Sequence, residues 1–316
     1  MGNAHDSEDG VDVARALERA AGGALVVPAA ELATFVATGK DRQSWLNGLI
    51  TCDLAPLKDG DCAYGLFVEK RGRITADAVV FLGPDRLFLA VPRGIAGELK
   101  ALLEHHLIME DVEVEEGAFE VEFVHGPRSG DVLAAARAAG AVGGALDRTG
   151  LGGAVLFLPA QSIAAVRTAR DAALPGMGGM VGDDRAWEAL RLDRRVPQFG
   201  ADFDATTYPQ EAGLEKRAVS FSKGCYLGQE VVFMLEKRGH VKRFLVTLRV
   251  ASELPPPRGA AVLDANREEV GTVTSAAIVP TAGGPVAMAM VKRGKAEVGA
   301  VLEVLGAVST VIGPAA

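Results

Sequence analysis

Three cysteines are all that this chain of 316 residues contains. Cys52, Cys62 and Cys225 leave one thiol over in any disulfide scheme and lack the CxxC spacing of a zinc or cluster site, so reduced thiols are the expected state. Three scattered cysteines also exclude a four-cysteine iron-sulfur site completed within one chain. Long apolar runs are missing too. Although 49% of the residues are hydrophobic, no stretch approaches the roughly 20 uninterrupted apolar residues of a spanning helix, which argues against direct membrane binding. Excess positive charge is absent: a net charge of -8 removes the general electrostatic grip on nucleic acid that clustered Lys and Arg supply. A secretory signal is not visible, because His5, Asp6, Glu8 and Asp9 precede any apolar run. Residues 1–22 are therefore read as a flexible acidic leader, and the protein as cytoplasmic. Finally, Gly143-Gly144 and Gly150-Leu151-Gly152-Gly153 make neither GxGxxG nor a Walker pattern at a strand-to-helix junction and are read as turn glycines.

What is present is a chain long enough for two or three domains. Alternation and turn signals predict strands near Ala24–Val27 and Thr34–Thr38, then a helix over Asp41–Leu49. Strands follow at Cys62–Glu69, Ile74–Phe81 and Leu87–Val91, the first two joined by the hairpin Lys70-Arg71-Gly72-Arg73. Pro92 opens a helix, and Val112–Val124 returns to strand-like alternation. A fainter repeat gives a helix at Ser129–Ala139, a strand at Ala154–Leu158 and a helix at Gln161–Ala173. The pattern predicts an α+β region of two βαβ-like halves over residues 23–240. From Lys242 short, evenly spaced strands with Gly and Pro turns predict a small antiparallel barrel over residues 241–316.

The residue types that carry chemistry concentrate between Asp183 and Arg243. A helix capped by Asp183 or Asp184 sets Trp187, Leu190, Arg191 and Arg194 on one face. An indole beside a guanidinium can stack on a flat heteroaromatic ligand while the cation holds an anionic tail; the plainer alternative makes Trp187 core and the arginines a solvated face. Downstream, Lys223-Gly224-Cys225-Tyr226-Leu227-Gly228-Gln229-Glu230 puts a thiol beside a lysine and near the start of the helical run Val231–Leu235. Both features favour a thiolate, and a structural cysteine at a tight contact is the alternative. Lys237, Arg238, His240, Lys242 and Arg243 then surround Gly239, either as a patch for carboxylates or as a charged turn between domains.

At these residues the sequence resembles the YgfZ family, whose signature K-G-C-Y-x-G-Q-E is matched by Lys223 to Glu230 and whose following basic stretch is matched by Arg238 to Arg243. Trp45 to Leu54, Gly72-Arg73-Ile74, Tyr208 to Leu214 and Gly271-Thr272-Val273-Thr274-Ser275 are similar to further segments of the wider glycine-cleavage T-protein superfamily. The resemblance implies a T-protein-like region of two halves around a central channel that binds tetrahydrofolate or a folate derivative, and a C-terminal antiparallel barrel. It implies an accessory role in assembly or repair of iron-sulfur clusters, with client enzymes, tRNA-modifying ones included, or cluster-assembly proteins as partners. It also implies residue roles: Cys225 as the functional thiol, and Trp187, Arg191, Asp193, Lys223, Tyr226, Gln229, Arg238 and Arg243 around the folate. T proteins carry adjacent aspartates after their Gly-Gly turn; here Ile74-Thr75-Ala76-Asp77 keeps one, so Asp77 is the residue that an alternative aminomethyltransferase or other one-carbon transferase would use.

Overall fold

The computed structural model describes residues 11–237, 239 and 241–315. The first helix, α1 (Val13–Gly22), is capped by Asp12, whose carboxylate accepts from Arg15 N. It corrects the expectation of a flexible leader over residues 13–22: Ala16, Leu17 and Ala20 recur at helical spacing and are buried against the face of a later helix.

The chain then builds β1 (Leu25–Pro28), β2 (Leu32–Thr38), α2 (Arg42–Asn47), β3 (Cys62–Val68), β4 (Ile74–Leu82), β5 (Arg86–Pro92) and α3 (Ala96–His105). The predicted continuous alternation over Val112–Val124 breaks at Ala118 into β6 (Glu113–Gly117) and β7 (Phe119–His125), which join different sheets. Next come α4 (Ser129–Ala138), β8 (Val142–Ala145), β9 (Gly153–Pro159), α5 (Ile163–Ala173), β10 (Met180–Val181) and α6 (Asp184–Asp193). One five-stranded sheet has the order β10-β1-β7-β9-β8 and the other β3-β4-β5-β2-β6. Their ladders are antiparallel apart from β1 with β10, so the two α+β halves are not built on parallel crossovers.

The two sheets face one another. On β4, Val79 and Phe81 point inward, while Ala76, Ala78, Val80 and Leu82 pack beneath α2 and α3. On β7 and β9, Val121, Phe123, Val155 and Phe157 meet them from the other sheet, and the alternate residues pack under α4 and α5. Period-two alternation thus builds a four-layer sandwich with helices outside. Because the alternation continues past the apolar layer, Asp77 on β4 and His125 on β7 also point inward, toward one end of the sandwich.

After α6 the chain crosses through α7 (Glu215–Ala218) and α8 (Gln229–Lys237) into the barrel. β11 (Arg243–Val250), β12 (Ala261–Leu263), β13 (Glu269–Val279), β14 (Gly284–Lys292), β15 (Val301–Val304) and β16 (Ala307–Pro314) close antiparallel in the order β11-β14-β13-β12-β15-β16. Closure removes sheet edges. Barrel and sandwich share a core, in which Val279, Val286 and Met288 pack with Trp187, Leu190 and Leu17.

Candidate functional site

Where the inter-sheet layer ends, its apolar side chains give way to Tyr64 of β3, Asp77 of β4, Phe123 of β7 and Trp187 of α6, and these line a connected cavity. Its wider part has a volume of about 420 Å3 and runs past Tyr64, Arg148, Pro197 and Arg217. The narrower end adds Glu31 from the β1–β2 turn and Gln198 from the segment after α6. Asp183 caps α6 by accepting from Ala186 N at 2.9 Å, which fixes the helix that carries Trp187.

The polar groups here are constrained. The Tyr64 hydroxyl donates to Asp77 Oδ2 at 2.9 Å, and burial pushes the Asp77 carboxyl above its usual range against the pull of the Arg148 cation. Burial and the neighbouring Asp77 carboxylate hold the Tyr64 phenol well above its ordinary value. Trp187 Nε1 donates to Gln198 Oε1 at 2.8 Å. The indole stacks on His125, with ring centroids 5.0 Å apart and planes 11° from parallel. His125 is buried, neither ring nitrogen has a partner among the described residues, and burial pushes its pKa down to about 3. A neutral imidazole therefore backs the aromatic wall. The Arg148 guanidinium lies over three rings, 4.7 Å from Phe123, 5.2 Å from Trp187 and 5.7 Å from Tyr64. Cys52 and Cys62 also line the wider part, and burial pushes both thiols up to about 12, so they are protonated and inert.

The residues expected around a ligand do not all meet at this cavity. Trp187 and Asp77 do. Arg191 does not: it is 1% exposed, and its guanidinium pairs with Glu188 and Asp202, both at 2.6 Å. The same helix face that exposes Trp187 to the cavity turns Arg191 into the junction with the barrel. Asp193 accepts from the Thr281 hydroxyl at 2.7 Å, at the barrel surface. Arg243 donates to Glu211 Oε1 at 3.2 Å and lines a separate groove between residues 200–207 and the barrel. Arg238 lies outside the described residues.

Lys223, Cys225, Tyr226 and Gln229 share one segment, which abuts the cavity wall at Cys52. Lys223 Nζ donates to the carbonyls of Asn47, Ile50 and Cys52 at 2.7, 2.8 and 2.6 Å, at and just past the end of α2. Burial brings its pKa down to about 8. Its ammonium is thus committed to main-chain oxygens. Tyr226 is buried above this ammonium, 5.3 Å from ring centroid to Nζ, and Gln229 Nε2 donates to Gly224 O at 3.4 Å. Gly228 has φ +78°, and a Cβ there would stand 2.3 Å from Glu69 O, so the tight crossing over the β3–β4 hairpin requires glycine. Cys225 is a free, exposed thiol at the centre of this pinned segment.

Arg148, Tyr64, Phe123, His125, Glu31, Gln198 and Asp202 went unflagged at the sequence level. The signal for one of them was present: in β7, His125 falls in phase with the apolar inward positions Val121 and Phe123, where a polar residue demands a reason.

Residues 12–142 match the family described as "GCVT N-terminal domain", and residues 243–308 match "Glycine cleavage T-protein C-terminal barrel domain". A protein of Herpetosiphon aurantiacus named aminomethyltransferase is 28% identical over 307 residues, covering 90% of this chain and 82% of that one. One of Nostoc sp. with the same name is 29% identical over 299 residues, covering 85% and 77%. An uncharacterized protein of Haemophilus influenzae is 24% identical over 244 residues, covering 75% and 79%. Among solved structures, the glycine cleavage system aminomethyltransferase T from Bartonella henselae is similar in fold, with a TM-score of 0.83 at 22% identity over 95% of this chain and 88% of that one.

Proposed function

From a chain that carries the GCVT-family N-terminal domain and the T-protein C-terminal barrel, we propose a tetrahydrofolate-binding protein whose ligand occupies the cavity at the end of the sandwich. The observation that carries this reading is the composition of that cavity. A pterin needs a flat apolar surface and acceptors for its N–H edge; Trp187 with Phe123 supplies the first, and Asp77 with Glu31 supplies the second. An aminobenzoylglutamate arm needs cations, and Arg148 and Arg217 line the wider part. The donor set fits the ligand, since the Arg148 guanidinium pairs with no carboxylate among the described residues. Bound tetrahydrofolate supplies nitrogens that carry a one-carbon unit. The chain's own groups exclude water from it and hold the pterin edge, with the Asp77 carboxyl, raised by burial, able to take or give a proton there.

Beyond binding, the finer reading is an accessory protein for enzymes that depend on iron-sulfur clusters, tRNA-modifying ones included. Its support is the signature segment: Lys223 and Gly228 hold it rigidly against the sandwich while Cys225 stays exposed, where a client or cluster-assembly protein can reach the thiol. A second reading, a folate-dependent one-carbon transferase, is favoured by Asp77 in the cavity and by the relatives named aminomethyltransferase.

One set of measurements separates these. Titrated tetrahydrofolate should quench emission in the wild type and in Trp45→Phe, and much less in Trp187→Phe; absence of binding by calorimetry would end both folate readings. In a host lacking the chain, Cys225→Ser should bind folate normally yet fail to restore a cluster-dependent enzyme. Formation of methylene-tetrahydrofolate from an aminomethyl donor, with loss on Asp77→Asn and none on Cys225→Ser, would instead establish the transferase.

A further inference from the structure

Arg148 stands at the junction of the two parts of the cavity and lines both. Its main chain is locked. Asp147 accepts from the backbone N–H groups of Thr149, Gly150 and Gly152 at 3.0, 2.7 and 3.0 Å, which closes the turn between β8 and β9. Arg217 donates to Arg148 O at 2.7 Å, and Arg194 donates to Thr149 O at 2.8 Å, so braces from two other elements hold the same turn. The side chain, by contrast, has no ion pair and no side-chain hydrogen bond among the described residues; its contacts are the faces of Phe123, Trp187 and Tyr64. The ring surface that a flat ligand would use is thus covered by a guanidinium on a rigid post.

Accepting the folate reading of this cavity, we propose that Arg148 is its specificity switch: the guanidinium covers the aromatic floor when no ligand is bound, and moves off it to pair with a carboxylate of the ligand's tail as the ring stacks on Trp187. The exchange is favourable because a cation over a ring is held less strongly than a guanidinium in a bidentate, charge-assisted pair with a carboxylate. It also sets ligand choice. A flat ring without an anionic tail must evict the guanidinium from its stacking place and gives it no carboxylate in return, whereas a ring joined to a carboxylate offsets the move within one molecule. The substrate class is therefore a conjugate, a heteroaromatic head with an acidic arm, and the free head is discriminated against. The neutral state of His125 behind Trp187 fits this arrangement, since a charged imidazole there would repel the covering cation.

The test compares tetrahydrofolate with a tetrahydropterin that lacks the aminobenzoylglutamate arm, by calorimetric titration of wild type, Arg148→Met and Arg148→Lys. Wild type should bind the conjugate at least about 100-fold more tightly than the bare pterin. Arg148→Met should lose about 10- to 100-fold in affinity for the conjugate while holding or gaining affinity for the pterin, so the ratio collapses. Arg148→Lys keeps the charge without the planar fork and should fall between, which keeps the test informative if the Met variant folds poorly. Without ligand, Trp187 emission should change in Arg148→Met. Discrimination that survives in both variants, or an equal loss for both ligands, would overturn the role of Arg148 and leave the folate reading standing. Failure of wild type to bind either ligand would instead defeat the folate reading.

Discussion

A buried imidazole without a hydrogen-bond partner among the described residues is an unusual thing for a protein to keep, and at His125 it has a measurable consequence. Its pKa is about 3 in the folded chain against an ordinary 6.5. Between those values the unfolded state binds a proton that the folded state refuses, so this group leaves stability intact above pH 6.5 and removes it progressively as pH falls toward 3. From pH 6.5 to pH 5 the loss from this residue is about 2 kcal/mol, at 1.36 kcal/mol per pH unit. His125→Phe keeps a flat ring beneath Trp187 and cannot titrate. The unfolding free energy from urea titrations should therefore fall less between pH 7 and pH 5 for the variant than for wild type, by about that amount, and parallel acid sensitivity would refute the assignment. Lys223 shows the same economy of position. Three carbonyls at and just past the end of α2 fix its ammonium, and this explains why a lysine so close to a reactive-looking thiol acts instead on main-chain groups far earlier in the chain.

At the scale of elements, α1 is decisive for the junction. Its apolar positions, Ala16, Leu17 and Ala20, pack on α6, the helix that aims Trp187 into the cavity. Were residues 13–22 a loose leader, truncating Leu17 would be silent. Leu17 is 4% exposed, so Leu17→Ala should cost about 2–4 kcal/mol in a denaturant titration. It should also weaken folate binding by loosening the seat of α6. The motif Tyr208 to Leu214 is structural in the same way. Glu211 accepts from Tyr208 N and from Arg243, and Gly213, at φ +70°, passes where a Cβ would stand 2.1 Å from Ala315 O. Residues that stand out in the sequence only by their likeness to a T-protein segment serve here as a latch onto the barrel.

Across the whole molecule, one buried carboxylate ties the parts together. Asp202 accepts from Arg191 at 2.6 Å, from Gln198 N at 3.0 Å and from Thr274 at 2.6 Å, and also from the Ser275 hydroxyl, so α6, the cavity-lining segment and β13 meet on one side chain. Removing it leaves Arg191 to Glu188 and strips the Gln198 N–H and the Thr274 and Ser275 hydroxyls of their acceptor, at a cost of about 3–5 kcal/mol. Asp202→Ala should lose that much, and calorimetry should resolve barrel and sandwich melting separately where wild type melts once. A single transition at an unchanged midpoint would show that the apolar contacts alone couple them.

Alternation and turn residues determined much of this protein without any structure: most strands of the two halves, most helices, the antiparallel barrel over residues 241–316 and Trp187 as a candidate, because period and capping are local properties of a few neighbouring residues. They did not give β10 or β8, whose Gly143 and Gly144 read as turn glycines, and Asp77 came only from the T-protein resemblance. Local pattern also exposed the Lys223 to Glu230 segment as special. Only the tertiary structure decided what those residues face. Trp187 and Arg191 are one helical turn apart, yet one reaches the cavity and the other the barrel junction, since their surroundings come from different strands far along the chain. The α1 helix was missed because its acidic neighbours outweighed a short apolar stripe that has meaning only once α6 lies beside it. Arg148, on a turn that reads as mere glycine punctuation, became the centre of the cavity only because two sheets bring Phe123, Tyr64 and Trp187 around it.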